Sequence, residues 1–459
     1  MAISKKAKYY VLDTNILLSS PDAIYGFDDN VVVITGTVLQ ELDFNKTKPG
    51  DTGFNARESI RIIESLRDSG DFLEGVALSK KGVFKIEPDG VHAENLPNGY
   101  SIDRPDNKII STCIHIQNKL RLDGKPNLVT LVSNDISMRI NAAACGVIAE
   151  AYRNDRIASE KDEVYLGRET LEVSYEIIDD IFKNQKVNVE GSDYNFVENE
   201  FVTLKCGSSS ALSVYKSGYL YLIKEQYACN IKCLNAAQKY ALWALLAPVE
   251  EIPLVILKGE AGTAKTFLSL AAALEKIVYR AKKEEEPAYN RVLITRNNVT
   301  ADKDFGALPG ELENKMGPLV APFMDNLSQI IDIADIKDNI SGEKMKAQDF
   351  FDNGIMELCP LAYIRGRSLA KSFFIVDECQ NTTRSQMRDI ITRAGDKTKI
   401  VICGDPKQID NPILDRWNNG LAFVSDNFKG SKLCAQLTFT EKECVRSKLA
   451  TEALKLLNL

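Results

Sequence analysis

The sequence predicts an α/β protein with two domains, at residues 1–155 and 231–459, separated by a small β-rich connector at 156–230. Three observations lead there. Strand-length apolar runs alternate with helical patterns in the N-terminal third and again from Leu234 onward, the signature of mostly parallel sheets. Between those stretches the pattern changes to short β-branched and aromatic runs. A chain of 459 residues also exceeds one ordinary core and suits two or three domains.

Along the first domain, residues 9–12 and 31–34 are apolar runs of strand length. Residues 56–67 place Ile60, Ile63 and Leu66 on one helical face, and Gly70 stops them. Residues 128–132 form a further strand, and 136–144 a helix that Gly146 ends. In the connector, the polar stretch 190–195 precedes strand runs at 201–204 and 219–223, and no chemistry stands out. In the second domain, 254–257, 291–294, 373–376 and 399–403 are strands. Polar insertions at 282–286 and 336–348 read as solvated surface.

Composition narrows the class. Apolar residues at 44% and charged residues at 26% suit a soluble globular chain. No apolar run approaches the ~20 residues of a membrane helix. The N-terminus runs into a strand without a signal-peptide pattern, so a cytoplasmic location is expected. Ten cysteines lie scattered in mainly apolar runs and read as small buried hydrophobes in a reducing compartment. Cys229 and Cys233 would be half a zinc site, but no second pair stands at zinc spacing. A net charge of −7 argues against nonspecific coating of nucleic acid. It leaves room for a local basic channel or for carboxylates gathered around a metal.

The strongest motif is Gly259-Glu260-Ala261-Gly262-Thr263-Ala264-Lys265-Thr266, between an apolar strand and an apolar helix. In that context the loop's N–H groups and the helix N-terminus cradle ATP phosphates. Lys265 would reach the β- and γ-phosphates and Thr266 would ligate Mg²⁺. Ala264 stands where a second glycine is usual. A positive φ there would cost alanine about 1–2 kcal/mol. The loop resembles that of the MCM helicases, which also carry alanine before the lysine, so ordinary backbone angles are expected. Downstream, the strand at 373–376 ends in Asp377-Glu378. Asp377 suits a Mg²⁺ contact and Glu378 a water-orienting base. Gly404-Asp405-Pro406-Lys407-Gln408 resembles the superfamily 1 helicase motif whose glutamine senses the γ-phosphate. Asn235 and Gln238 open a helix before the P-loop strand and resemble an adenine-reading Q-motif.

A second set of residues is acidic. Asp13 follows the first strand, Glu41 sits at the start of a helix, Asp106 follows Pro105, and Asp135 follows the strand at 128–132. Carboxyl ends of parallel strands share one edge, so Asp13 and Asp135 would meet there, with Glu41 and Asp106 on adjacent helices. Two carboxylates ~4 Å apart repel by about 4 kcal/mol at an effective dielectric of 20, so four demand a cation, protons or basic partners. All-oxygen donors favour Mg²⁺ or Mn²⁺, suited to phosphodiester hydrolysis. Asp103 is an alternative to Asp106, and Ser133 is a hydroxyl beside the last acid.

Thr295-Arg296, Leu308-Pro309-Gly310-Glu311-Leu312-Glu313, residues 360–368 and Asp377-Glu378-Cys379-Gln380-Asn381-Thr382-Thr383 together resemble the PhoH family of ATPases over nearly all of 231–459. The ordered acids, with Arg139 and Tyr152-Arg153-Asn154-Asp155, resemble PIN-domain ribonucleases. The whole chain resembles PIN–PhoH fusions. The resemblance implies a PIN-like α/β/α nuclease domain followed by a RecA-like P-loop domain, and RNA as partner. It also implies a six-membered ring, because one RecA-like lobe lacks an opposing arginine. Arg446 is the first candidate for a finger reaching a neighbouring subunit, with Arg365, Arg367 and Arg393 as alternatives.

The reading that follows is ATP-driven binding or unwinding of RNA coupled to Mg²⁺- or Mn²⁺-dependent endonucleolytic cleavage. The alternatives are an ATP-gated RNA-binding protein with a silent nuclease, and the same activities on single-stranded DNA.

Overall fold

The computed structural model describes residues 7–48, 50–78, 82–88, 90–122, 124, 129–153, 156–157, 165–191, 194–260, 262–279, 288–297, 312–337, 343–361, 364, 369–411, 414 and 416–444. The chain divides into two compact units, residues 1–163 and 164–459.

The first unit is built on β1 (Tyr9–Leu12), β2 (Val31–Thr35), β3 (Val76–Ala77), β4 (Val83–Glu87), β5 (Val129–Val132) and β6 (Ile148–Glu150). Their order is β3-β4-β2-β1-β5-β6, parallel except for β3 against β4. Its helices are α1 (Thr14–Ser19), α2 (Gly36–Asn45), α3 (Gly50–Ser65), α4 (Pro105–Leu122) and α5 (Ile136–Ala144). Val11, Leu12, Val31, Ile34, Leu131 and Val132 are wholly or almost wholly buried, as strands covered on both faces require. The chain leaves β1 toward β2 on one side and returns as β5 on the other. The carboxyl ends of β1 and β5 therefore flank a topological switch point, where ligands of open α/β sheets bind. A short hairpin, β7 (Tyr152–Arg153) with β8 (Arg156–Ile157), follows.

In the second unit, β9 (Arg168–Glu172), β10 (Lys186–Asn188), β11 (Phe201–Cys206), β12 (Ser209–Lys216) and β13 (Tyr219–Leu222) form a sheet ordered β10-β13-β12-β11-β9. One face is covered by α6 (Tyr175–Asn184), with Ile178 and Ile181 on Val202, Leu204 and Leu220. The other face shares a core with α7 (Ala236–Leu246): Phe201 stacks on Tyr240 at 4.7 Å, and Thr203 Oγ1 hydrogen bonds Tyr240 Oη at 2.7 Å. The β-rich segment is thus packed into the body of the second unit.

That body is a six-stranded parallel sheet of β14 (Leu254–Lys258), β15 (Arg291–Arg296), β16 (Met356–Leu358), β17 (Ser372–Asp377), β18 (Lys399–Gly404) and β19 (Cys434–Thr438), ordered β16-β15-β17-β18-β14-β19. The helices α8 (Lys265–Leu274), α9 (Leu312–Ala334), α10 (Ala347–Asp352), α11 (Arg384–Ile391) and α12 (Gly420–Asn427) connect and cover it. The segment expected to be solvated at 336–348 is in part the opposite. Ile336 and Met345 are buried in the main core, and a backbone hydrogen bond from Met345 N to the Ile336 carbonyl joins them. The insertion at 282–286 lies outside the described residues. Cys229 and Cys233 are buried in the same core and serve as hydrophobes. Among the described residues, no helix is long and apolar enough to cross a membrane.

Candidate functional site

Parallel register puts the chemistry of the second unit on one edge. Lys258, Gly404 and Thr438 are paired at the ends of β14, β18 and β19, and Arg296 is paired with Asp377 at the ends of β15 and β17. The loop after β14 turns immediately. Gly259 has φ 144°, and a Cβ there would meet the Phe439 carbonyl oxygen at 2.7 Å. Gly262 has φ 84°. Ala264 has φ 66° and ψ 21°, which corrects the expectation of ordinary angles at that residue. The loop must curl so that its N–H groups face inward, and an L-residue just before the helix accepts the left-handed region to close that curl.

Lys265 opens α8 and folds back, its Nζ donating to the carbonyls of Gly259 at 2.7 Å and Glu260 at 2.9 Å, with Thr263 Oγ1 at 3.2 Å. Thr266 Oγ1 donates to Asp377 Oδ1 at 3.0 Å. Asp377 is buried; burial and the neighbouring Glu378 charge raise its carboxyl, against Arg296, Thr266 and Lys265, which lower it. Gly262, Ala264, Lys265, Thr266, Arg296, Asp377, Glu378, Asp405 and Gln408 line one cavity of about 360 Å³. Glu260 lies beside it, its side chain joined to Lys407 at 2.6 Å. Ala261 lies outside the described residues. Thr266 and Asp377 already meet, so this oxygen pair could hold a hard divalent cation.

Gln238 does not line the cavity. It is buried, its Oε1 accepts from Leu234 N at 2.8 Å, and its own N–H donates to Asn235 Oδ1, the cap of α7. Two residues not picked out as site residues do belong here. Arg296 Nη2 contacts Glu378 Oε1 at 3.0 Å, and Gln380 Nε2 contacts Glu378 Oε2 at 2.6 Å. The signal for Arg296 was its place at the carboxyl end of a predicted parallel strand. Of the candidate fingers, Arg446, Arg365 and Arg367 lie outside the described residues. Arg393 is exposed, and its carbonyl accepts from Leu369 N, ahead of β17 and so at the opposite edge of the sheet from Asp377.

In the first unit, Asp13 lies at the floor of the switch point, 4% exposed. Its carboxylate caps α1 through Thr14 N at 2.6 Å and accepts from Asn15 Nδ2 at 2.5 Å and Ser133 Oγ at 2.6 Å. Burial, with the charges of Asp106 and Glu41, outweighs these donors and pushes Asp13 up to about 7. Glu41 reaches the same floor by accepting from Thr14 Oγ1 at 2.5 Å. Asp135 stands exposed at the rim and caps α5, accepting from Ser137 N at 2.7 Å and Met138 N at 3.2 Å. Asp106, in the first turn of α4, is open to solvent on one side. Desolvation of its inner side and the Asp135 charge raise its carboxyl, while Arg104 lowers it. Asp103 instead pairs locally with Ser101.

The four acids therefore share one neighbourhood, and their all-oxygen chemistry fits a hard divalent cation. Among the described residues, no three His, Cys, Asp or Glu side chains already converge on a metal position. Asp13, Glu41 and Asp135 each also accept hydrogen bonds from helix N–H groups or a hydroxyl.

Comparison with known proteins identifies the two domains. The family described as PhoH-like protein matches residues 230–458, and the PIN domain family matches residues 10–153. Protein PhoH2 of Bacillus subtilis (strain 168) is 36% identical, covering 98% of this chain and 100% of its own. Protein PhoH2 of Mycolicibacterium smegmatis is 30% identical over 96% of this chain and 94% of its own. Protein PhoH2 of Thermobispora bispora is 28% identical over 98% and 97%.

Proposed function

Because this chain belongs to the PhoH2 family, a PIN domain followed by a PhoH-like P-loop ATPase domain, we propose that it hydrolyses ATP to bind and unwind RNA and cleaves that RNA at the PIN site. One observation carries the reading: Lys265, Thr266, Asp377, Glu378 and Gln408 converge on a single cavity at the carboxyl edge of a parallel sheet.

In this reading the loop N–H groups and Lys265 hold the β- and γ-phosphates, and Lys265 leaves the carbonyls of Gly259 and Glu260 to do so. Thr266 and Asp377 hold magnesium, which screens phosphate charge. Glu378 orients the attacking water, and Gln408 senses the γ-phosphate from the neighbouring loop. In the PIN domain, Asp13, Glu41, Asp106 and Asp135 hold Mg²⁺ or Mn²⁺, a Lewis acid for the phosphate under attack. Ser133, Asn15 and Thr14 orient the Asp13 carboxylate from behind. A ring of six copies would supply the wall that one lobe lacks, with Arg446 as the finger.

Matched RNA and DNA oligonucleotides test the substrate. RNA is expected to stimulate ATP turnover and to be cut, with DNA weak in both; the reverse order would move the reading to single-stranded DNA. The hydrogen bonds that engage Asp13 favour a second reading, an RNA-binding ATPase whose nuclease is silent. Absence of cleavage with Mn²⁺ beside intact RNA-stimulated hydrolysis would select it.

A further inference from the structure

Glu378, placed to orient water, is already engaged. Its Oε1 accepts from Arg296 and its Oε2 from Gln380. Arg296 Nη1 also lies 3.9 Å from Asp377 Oδ2. Charge-assisted pairs of this kind are among the stronger hydrogen bonds in proteins. In this arrangement each carboxylate oxygen faces a protein donor.

The two partners are held very differently. Gln380 is fully buried; its Nε2 also donates to the Gln408 carbonyl at 2.8 Å, and its Oε1 accepts from Asp405 N at 3.0 Å. It is fixed between β17 and the loop after β18. Arg296 is the last residue of β15, its side chain is 24% exposed, and it lines the cavity with Lys265 and Thr266. Its guanidinium thus has two anions within reach, the carboxylate it now holds and any phosphate in the cavity. Lys265 is in a parallel situation, its Nζ resting on two carbonyls of its own loop at the same cavity.

The geometry points to Arg296 as a γ-phosphate-dependent switch on Glu378. With the cavity empty or holding a nucleoside diphosphate, Arg296 holds Glu378. A nucleoside triphosphate places a further doubly charged group at the cavity, and the guanidinium transfers to it. Glu378 is then left on Gln380 alone, with one carboxylate oxygen turned to the attacking water. Discrimination between tri- and diphosphate and assembly of the hydrolytic site are in this way one event. The inference rests on the P-loop reading above and adds to it a residue that reads the terminal phosphate.

The test uses the full chain, calorimetric titration with ADP and with the non-hydrolysable triphosphate AMP-PNP, and steady-state ATP turnover. Arg296→Ala is expected to leave ADP affinity within about twofold and to weaken AMP-PNP by roughly ten- to a hundredfold, the loss of one charge-assisted hydrogen bond. Turnover should fall by at least as much, and added guanidinium ion should restore part of it. If Arg296→Ala lowers the melting temperature, Arg296→Lys replaces it; lysine keeps the charge without the fork, and intermediate discrimination is expected. Equal weakening of both nucleotides, or AMP-PNP binding as tight as wild type, would overturn the switch. A wild-type chain that binds neither nucleotide would instead refute the P-loop reading on which it stands.

Discussion

Thr266 Oγ1 and Asp377 Oδ1 lie 3.0 Å apart, joining the first turn of α8 to the end of β17 across 111 residues of sequence. The point where they meet is walled by Lys265 on one side and Glu378 on the other. Lys265→Ala is therefore expected to abolish ATP hydrolysis while leaving the melting temperature near wild type, since the lysine makes only local bonds to its own loop. Glu378→Gln should bind ATP and turn it over at least a hundredfold more slowly, on the order of what a displaced catalytic base costs. Near-wild-type turnover in Glu378→Gln would remove the glutamate from its assigned role.

The left-handed Ala264 leads to a stability prediction. Its conformation costs an L-residue about 1–2 kcal/mol, and glycine would relieve that at an entropic cost of roughly 0.5–1 kcal/mol. Ala264→Gly is thus expected to stabilise the chain by about 0.5–1 kcal/mol in urea melts. Nucleotide affinity should change little, because the N–H direction is kept. A destabilised variant would mean that the Ala264 methyl, which packs against the main core, matters more than the strain.

Ala264 also marks where the sequence stops being readable. The alternation of strands and helices, the P-loop and the two acid-bearing strand ends are local patterns, and periodicity exposes them. A backbone angle is not a pattern: the residue before Lys265 is visible, but the curl that forces it left-handed is not. Arg296 meets Glu378 only because β15 pairs with β17 in a particular register, a relationship between segments 81 residues apart. Gln238 sits at a suggestive distance from the P-loop strand, and its carboxamide oxygen also closes the turn at Leu234, a bond that spacing does not reveal. The polar run at 336–348 concealed Ile336 and Met345, two apolar residues too far apart for a helical stripe but joined in space by backbone pairing.

Asp13 couples the nuclease site to stability through its proton. Its carboxyl is pushed up to about 7 from the usual carboxylate range, so folding disfavours the charged form. In EDTA, this group penalises the folded chain increasingly as pH rises from about 4 to about 7, and the penalty is absent at lower pH. Asp13→Asn should therefore stabilise the metal-free chain more at about pH 8 than at about pH 5. Bound Mn²⁺ should reverse the effect in wild type and release a proton, read as a dependence of binding heat on buffer. The same variant should lose RNA cleavage and keep ATP hydrolysis, since Asp13 and Lys265 lie in separate units. Wild-type products should carry 5′-phosphate and 3′-hydroxyl ends, and a 2′,3′-cyclic phosphate would contradict metal-assisted attack by water.

Assembly bears on whether a neighbouring subunit completes the cavity. The residues lining it come from the loop after β14, from α8 and α9, and from the ends of β15, β17 and β18 with their loops, so the described wall belongs to a single lobe. Arg393 cannot close the site within its own subunit, because the Leu369 contact holds it at the far edge of the sheet. An arginine supplied by a neighbour would satisfy the same need, with Arg446 as the first choice, and such a finger is worth ~10³–10⁵ in rate. Lys265→Ala and Arg446→Ala subunits, each inactive alone, should regain partial ATPase when mixed, because some interfaces then pair an intact lysine with an intact arginine. The regained rate should follow the mixing ratio and peak near equal amounts. An active monomer in light scattering, or mixtures as inactive as their parts, would show that the site is complete within one chain. Arg393→Ala then serves as the contrast: its exposed side chain predicts wild-type turnover unless that arginine, rather than Arg446, is the one that crosses the interface.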